Sequence, residues 1–311
     1  MKVSKKYVVL GKRIKRHFPL YLMMLPGIAY LIMNNYLPMT GLILAFKKFK
    51  FNKGIFASPW NGLKNFAYLF KTKDAVLIFR NTILYNIAFI ILGTFLCIVI
   101  AILLNEIRRK KVQQVYQTII LIPHLLSWVV IGYIVYAFLG EANGMVNNSI
   151  LIPLGYERIP WYSSPQYWPF VLIIAYLWRI FGYNSIIYFA SIVGFDKTYY
   201  EAAVVDGATT ADQIFHITLP LLKPTVITLT LLALGRMFYS DFGLFYQVPM
   251  NTGLLFPTTN TIDTYVYRGL TQLNDVGRAS AVGFIQSVMG FLVVLGANSL
   301  VRVVEREYSL F

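Results

Sequence analysis

Charge is scarce in this sequence, and so are the residues from which most catalytic sites are built. Asp, Glu, Lys and Arg make up 13% of its 311 residues, about half of what a soluble globular chain carries, which argues for lipid as the solvent. The one cysteine, Cys97, lies in an apolar run, so neither a disulfide framework nor a Cys-based metal site is available. Three histidines, His17, His124 and His216, are scattered without metal-ligand spacing. There is no phosphate loop of the form GxxxxGK followed by Ser or Thr, and no Ser-His-Asp or Cys-His set can be assembled on one side of a membrane. Acids are the rarer sign, 13 against 28 Lys and Arg. None lies well inside an apolar run, and Asp241 sits at an edge, which weighs against an ion-coupled carrier that needs an intramembrane carboxylate. An integral-membrane enzyme lacks the clustered His, Cys or carboxylates it would need. Internal repeats of 20–50 residues and low-complexity tracts are also missing.

Hydrophobic residues, by contrast, make up 57% of the chain and aromatics 16%. A membrane-crossing helix needs about 20 mostly apolar residues. Six segments qualify: 20–46, 81–104, 117–139, 168–193, 222–240 and 279–301. The expectation is an all-α membrane protein of six spans, since no alternating strand pattern appears. Asn34, Asn35 and Pro38 predict a kink or break in the first span. The net charge of +15 does not point to nucleic acid, because the bases cluster between apolar runs, as orienting charges do. Lys2, Lys5, Lys6, Lys12, Arg13, Lys15 and Arg16 precede an apolar run that continues to Phe46 with no small-residue cleavage site. This reads as an uncleaved span behind a cytoplasmic basic tail, 1–19. Arg108, Arg109, Lys110 and Lys111 follow span two, Arg158 alone lies in 140–167, and Arg302 and Arg306 close the chain. Both termini are therefore expected in the cytoplasm of a multi-pass cell-membrane protein, with 306–311 as a short C-terminal tail. The basic segment 47–80 disagrees, because six spans put it outside. Either it is basic for reasons of its own or the span count before residue 80 is off by one. Trp60, Trp128, Trp161 and Trp168 read mostly as interfacial anchors.

Between spans four and five, residues 199–220 read as a compact polar insert. Glu201 to Val205 favour a short helix, Gly207 permits a positive φ, and a second helical stretch is expected to end at Leu219-Pro220. Such an insert lies across the membrane surface and offers itself to a partner. The bland reading is an ordinary amphipathic loop helix.

The pattern itself, Glu201-Ala202-Ala203, three residues, Gly207, nine residues, then Ile217-Thr218-Leu219-Pro220, resembles the EAA motif of binding-protein-dependent ABC importer permeases. Asp206, Ala208, Phe215 and Leu221-Leu222-x-Pro224 resemble the extended form of sugar permeases. The resemblance spans 20–305 and implies the type I ABC importer permease fold, with 199–224 as the coupling segment that docks on a cytoplasmic ATPase. Glu201 would pair with a basic group of that ATPase, Ala202 and Ala203 would keep the helix slim, and Asp206, Gly207 and Pro220 complete the motif. It further implies a second homologous permease subunit, two ATPase subunits that hold ATP and Mg, and an extracytoplasmic solute-binding protein in a prokaryote. This chain itself would hold no cofactor or metal.

Candidate substrate contacts come from a polar, aromatic stretch of span four: Trp178, Arg179, Tyr183, Asn184 and Tyr188. An arginine near mid-membrane is costly unless paired or facing water, and aromatic faces with a few hydrogen-bonding groups suit sugar rings. The stretch resembles the fourth span of disaccharide-type permeases, where Trp and Asn face the channel. The plain alternative is interhelical bonding and packing. Arg236, Tyr239, Asp241 and Tyr246 form a second cluster, in which Arg236 and Asp241 read first as a pair and only second as substrate contacts. Asn81, Tyr85 and Asn86 make a weaker case, and Asn86 has the alternative of bonding a neighbouring helix. His124 reads as a helix-packing hydrogen bonder. The extended motif, the length, the basic N-terminus and the ending from Arg302 to Glu307 resemble permeases for oligo- and polysaccharides. An importer of another solute, anionic, phosphorylated or an amino acid, stays open, because Arg179 and Arg236 would suit an anion.

Overall fold

The computed structural model describes residues 2–71 and 73–304. The expected tail 306–311 lies outside the described residues. Helix α1 (Lys2–Leu31) runs without interruption through the basic tail into the first span. The break foreseen at Asn34-Asn35-Pro38 is a widened π turn, Ile32–Tyr36, followed by a tighter 3-10 turn, Thr40–Phe46. Asn34 donates its amide to the Tyr30 carbonyl at 3.0 Å, so the backbone stays satisfied where the helix changes pitch.

The basic segment after it is folded, with Lys47 built into its interior. Lys47 is 3% exposed; its ammonium donates to the carbonyls of Ile55 (3.2 Å) and Phe56 (2.5 Å) and lies 5.2 Å from the centre of the Trp60 ring. Asn65, on α2 (Lys64–Lys71), ties this loop down through the carbonyls of Ala45 and Lys47. Helix α3 (Lys73–Asn105) then takes up the rest of the segment. At 33 residues it is about 50 Å long, against about 30 Å of hydrocarbon, so it begins well before the 81–104 expected of it.

The third span is corrected. Residues 117–139 do not form one helix but two, α4 (Lys110–Leu125) and α5 (Trp128–Leu139), bent by 92°. Leu126 is extended, with ψ 137°, and the Ser127 hydroxyl caps α5 by accepting from the Val130 amide. Helix α6 (Trp168–Val193) matches span four. The fifth span is corrected as well. Its helix starts with α8 (Thr210–Gln213) after a short α7 (Lys197–Val205), passes a π turn at Ile214–Thr218, and continues as α9 (Leu219–Leu234). The second helical stretch therefore does not stop at Pro220. The wide turn comes just before the proline, which has no N–H to give the ladder. Arg236 falls beyond the helix end rather than inside it.

The segment between Arg236 and the last span is not an exposed loop. Helices α10 (Phe242–Gln247), α11 (Phe256–Thr259) and α12 (Ile262–Thr271) fold back among the spans before α13 (Val276–Val304). Leu244, Val248, Leu255 and Ile262 have no exposed surface. Trp128 and Trp168 pack with the first three of these, 8% and 0% exposed, so the reading of these two as interfacial anchors is overturned. Each gives up lipid contact because the refolded segment offers an apolar wall of high packing density. Among the described residues, five helices are long and apolar enough to cross a membrane, and the bent pair would make a sixth. Helices α4 and α6 meet closely at Gly182, where a Cβ would fall 1.8 Å from the Ile120 carbonyl oxygen.

Candidate functional site

Two regions stand out: the insert between α6 and α9, and a cavity among the spans. The insert opens with Asp196, whose carboxylate accepts from the Thr198 amide at 2.9 Å and caps α7. That bond, with the Thr198 hydroxyl, holds the acid below its ordinary pKa. Helix α7 ends in paired bonds from Gly207 N–H to Val204 O (3.1 Å) and from Ala208 N–H to Ala203 O (2.9 Å). This is the Schellman stop, which needs a left-handed residue. Gly207 supplies it, with φ +83°. A Cβ there would meet nothing within 4 Å, so the demand is for backbone conformation and not for space.

The chain restarts at a capping box. Thr209 N–H donates to the Asp212 carboxylate (2.9 Å), and Asp212 N–H donates to the Thr209 hydroxyl (3.2 Å). The Thr209 hydroxyl and amide keep the Asp212 carboxyl below the usual range. Tyr200 and Thr218 share a hydroxyl bond of 3.0 Å that straps the insert to the span. Of the motif residues, Glu201, Ala202, Asp206, Gly207 and Pro220 are exposed and Ala203 is half-buried. Large apolar side chains are exposed on the same insert: Tyr199 56%, Val204 61%, Phe215 66% and Val205 87%.

The cavity holds about 570 Å³ and lies between α3, α6, α9 and the start of α10. Six residues singled out from the sequence line it: Asn86, Asn184, Tyr188, Arg236, Tyr239 and Asp241. Trp178, Arg179 and Tyr183 do not. Tyr183 stacks on His124, with ring centres 4.4 Å apart. His124 packs through that stack, and its Nδ1 is buried without a hydrogen-bond partner among the described residues, contrary to the bonding role expected of it.

Arg179 is turned toward the broken span. Its Nε donates to the Leu126 carbonyl (3.2 Å), which the helix break leaves without a helical partner, and its guanidinium lies 4.5 Å from the centre of the Trp128 ring. Its Nη1 sits 3.9 Å from the Asp241 carboxylate. The pairing of Asp241 with Arg236 is thus corrected: the acid pairs with Arg179 and, by accepting from the Leu244 amide (3.4 Å), also caps α10. One arginine thereby holds together α5, α6 and α10. Arg236 also lines the cavity, but its guanidinium has no hydrogen bond or ion pair among the described residues.

Asn86 lines the cavity as well, with its amide committed to the carbonyls of Thr82, Met237 and Tyr239 at 2.9–3.0 Å. Asn81 and Tyr85 bond the carbonyls of Asn260 (3.0 Å) and Thr258 (2.9 Å), away from the cavity lining. Tyr246 stacks on Phe242 instead. Sequence reasoning passed over Phe89 and Tyr176, which stack at 3.8 Å and 15° and form an aromatic wall of the cavity. Phe89 sits in a uniformly apolar helix, and nothing local marks it.

The family model described as "Binding-protein-dependent transport system inner membrane component" matches residues 93–309. The chain is 33% identical over 306 residues to the polygalacturonan/rhamnogalacturonan transport system permease protein YteP of Bacillus subtilis (strain 168), covering 97% of this chain and 92% of that one. It is 31% identical to Protein LplB of the same organism, covering 94% and 92%. Among solved structures, a bacterial ABC transporter involved in the import of the acidic polysaccharide alginate superimposes with a TM-score of 0.87 at 32% identity, covering 95% of this chain and 99% of that one.

Proposed function

Because the chain belongs to the family of binding-protein-dependent transport system inner membrane components, we propose that it forms half of the translocation channel of an ATP-driven importer of oligosaccharides or polysaccharide fragments. The observation that carries this reading is the insert 196–218. Its side chains, Glu201 and Val205 among them, face away from the rest of the chain, while its two ends continue into α6 and α9, which line the cavity. Exposed apolar groups beside exposed charge on a rigid, doubly capped element are the anatomy of a docking surface. A push on the insert would be delivered to the cavity walls through α6 and α9 without an intervening flexible linker.

Glu201 pairs with a basic group of the ATPase, and Val204, Val205 and Phe215 fill its groove. ATP and Mg sit on that partner, which is present in two copies. A second, related permease completes the channel, and a solute-binding protein delivers ligand from outside. Both termini are cytoplasmic, on the side of the insert. Sugar is favoured because YteP and the alginate transporter are named for glycans and because Tyr176, Phe89, Asn184 and Tyr239 give the cavity apolar faces with a few hydrogen-bonding groups, the usual make-up of a ligand site.

The test is ATP hydrolysis by the co-purified complex in lipid, with and without binding protein and glycans, comparing the native chain with Glu201→Ala and Gly207→Asp. Hydrolysis should be stimulated in the native complex and fall to the basal rate in both variants while insertion persists. Absence of any co-purifying ATPase, or transport that survives both substitutions, would sink the reading.

A further inference from the structure

Arg179 and Arg236 differ in what their side chains are paired with, and the difference identifies a ligand. Arg179 is consumed by the Leu126 carbonyl, the Trp128 ring and Asp241. Asp241 is the acid on the cavity wall, and its charge is compensated from behind by Arg179, which does not itself line the cavity. That leaves Arg236 as the uncompensated charge facing the cavity among the described residues. A guanidinium on a cavity wall with no counter-charge of its own is a place where the negative charge of a ligand can bind. Its planar fork fits a carboxylate or phosphate through two parallel hydrogen bonds.

Around it stand groups suited to a sugar ring rather than to a small ion. Tyr176, stacked on Phe89, offers an aromatic face, and Asn184 and Tyr239 offer polar atoms. The Asn86 amide is spent on backbone carbonyls, so its oxygen is left as an acceptor for a hydroxyl. At about 570 Å³ the space falls in the size range of ligand pockets and is far larger than an anion requires.

We propose that this cavity takes carboxylate-bearing sugars, with Arg236 receiving the uronate carboxylate while Tyr176 and Asn184 hold the ring. The proposal rests on the reading of the chain as half of a sugar channel. A free phosphate or phosphorylated sugar shares the anion chemistry but would not use the aromatic wall to the same extent.

The experiment is calorimetric titration of the complex with its ATPase in nanodiscs, without binding protein, so that the preference of the binding protein does not enter. The probes are trigalacturonate, its neutral methyl ester and trehalose 6-phosphate, applied to the native chain, Arg236→Gln and Arg236→Lys. The acid should bind the native complex roughly 10–100-fold more tightly than the ester, the worth of one charge-assisted fork. Arg236→Gln should remove that difference and leave ester binding unchanged, and Arg236→Lys should restore part of it. Equal affinity for acid and ester in the native complex, tighter binding of the phosphate, or no binding at all would overturn the proposal. Equal loss for acid and ester in both variants would overturn it too, by assigning Arg236 to the contact with the second permease. Should Arg236→Gln fail to assemble, the native acid-to-ester ratio and Arg236→Lys still decide. In every one of these cases stimulated ATP hydrolysis would leave the channel reading standing, whereas its absence removes that reading first.

Discussion

The insert at 196–218 and the cavity above it are joined by the same two helices, yet they are built in opposite ways. The insert is local: its caps, its stop and its restart all lie within about two dozen residues, and its side chains mostly point away from the chain. The cavity is non-local. Arg179 reaches across 53 positions to Leu126, and Asn86 reaches across 151 to Met237. A surface written for an external partner can be coded as a short linear pattern, because the chain need only hold one shape. A site enclosed by the chain itself depends on where remote helices arrive.

The comparison breaks most visibly at the close approach of α4 and α6. Gly182→Leu would put side-chain atoms onto the Ile120 backbone, where even a Cβ overlaps at 1.8 Å. Backbone cannot yield as a flexible side chain does, and overpacking here should abolish recovery of monodisperse protein by size exclusion. Val205→Asp marks the other side. The residue is 87% exposed, so the chain should insert and keep its melting temperature while losing retention of the ATPase by about tenfold or more, the loss of a central contact. If both substitutions gave the same phenotype, the separation of docking surface from packed core would be wrong.

Arg179→Met should come next. It leaves the Leu126 carbonyl unpaired and Asp241 without its counter-charge. With side chains 20% and 33% exposed, the cost should lie between that of a surface pair and a buried one, about 1–3 kcal/mol. Thermal unfolding in detergent reads it, and an unchanged melting temperature would mean that the bend holds without it. Tyr176→Ala should be milder still, raising the sugar KM by roughly three- to tenfold through loss of an aromatic face, with little change in ATP hydrolysed per sugar.

The smallest effect concerns pH. Asp196 and Asp212 are held below their ordinary values by hydrogen bonds from Thr198 and Thr209. Their contribution to the caps is therefore complete above about pH 4 and is lost only as pH falls below it. Coupling should be insensitive to these acids from neutral to mildly acid pH, and Asp212→Asn should change the stimulated rate by less than about twofold. A loss of coupling at pH 6 would assign the effect to a group other than these two acids.

Much of the architecture was legible. Spans one, two, four and six coincide with apolar runs, since a helix in lipid must be apolar over its whole length whatever its neighbours. The bend at Leu126 was hidden because Pro123 precedes it and the run Leu125-Leu126-Ser127-Trp128 carries no glycine or proline. Its freed carbonyl is accepted by an arginine from another helix, so the enabling residue is remote. For the same reason the pairing of Asp241 went to the wrong arginine, as Arg236 is close in sequence and Arg179 is close in space. Residues 242–271 fall outside the six apolar runs because their apolar groups come in short clusters, Phe242 to Val248 and Leu254-Leu255-Phe256, too short for a span but sufficient to fill a core.

The sequence by itself determined that this chain crosses a membrane several times and presents a capped, glycine-stopped insert at one surface, because hydropathy and local hydrogen-bond geometry act within a few turns of chain. Tertiary structure alone decided which arginine is spent and which is free, that Trp128 and Trp168 lie inside, and that Phe89 and Tyr176 share a wall with Asn184. Those outcomes depend on distances between helices, and in an apolar segment every face looks alike until a neighbour is packed against it.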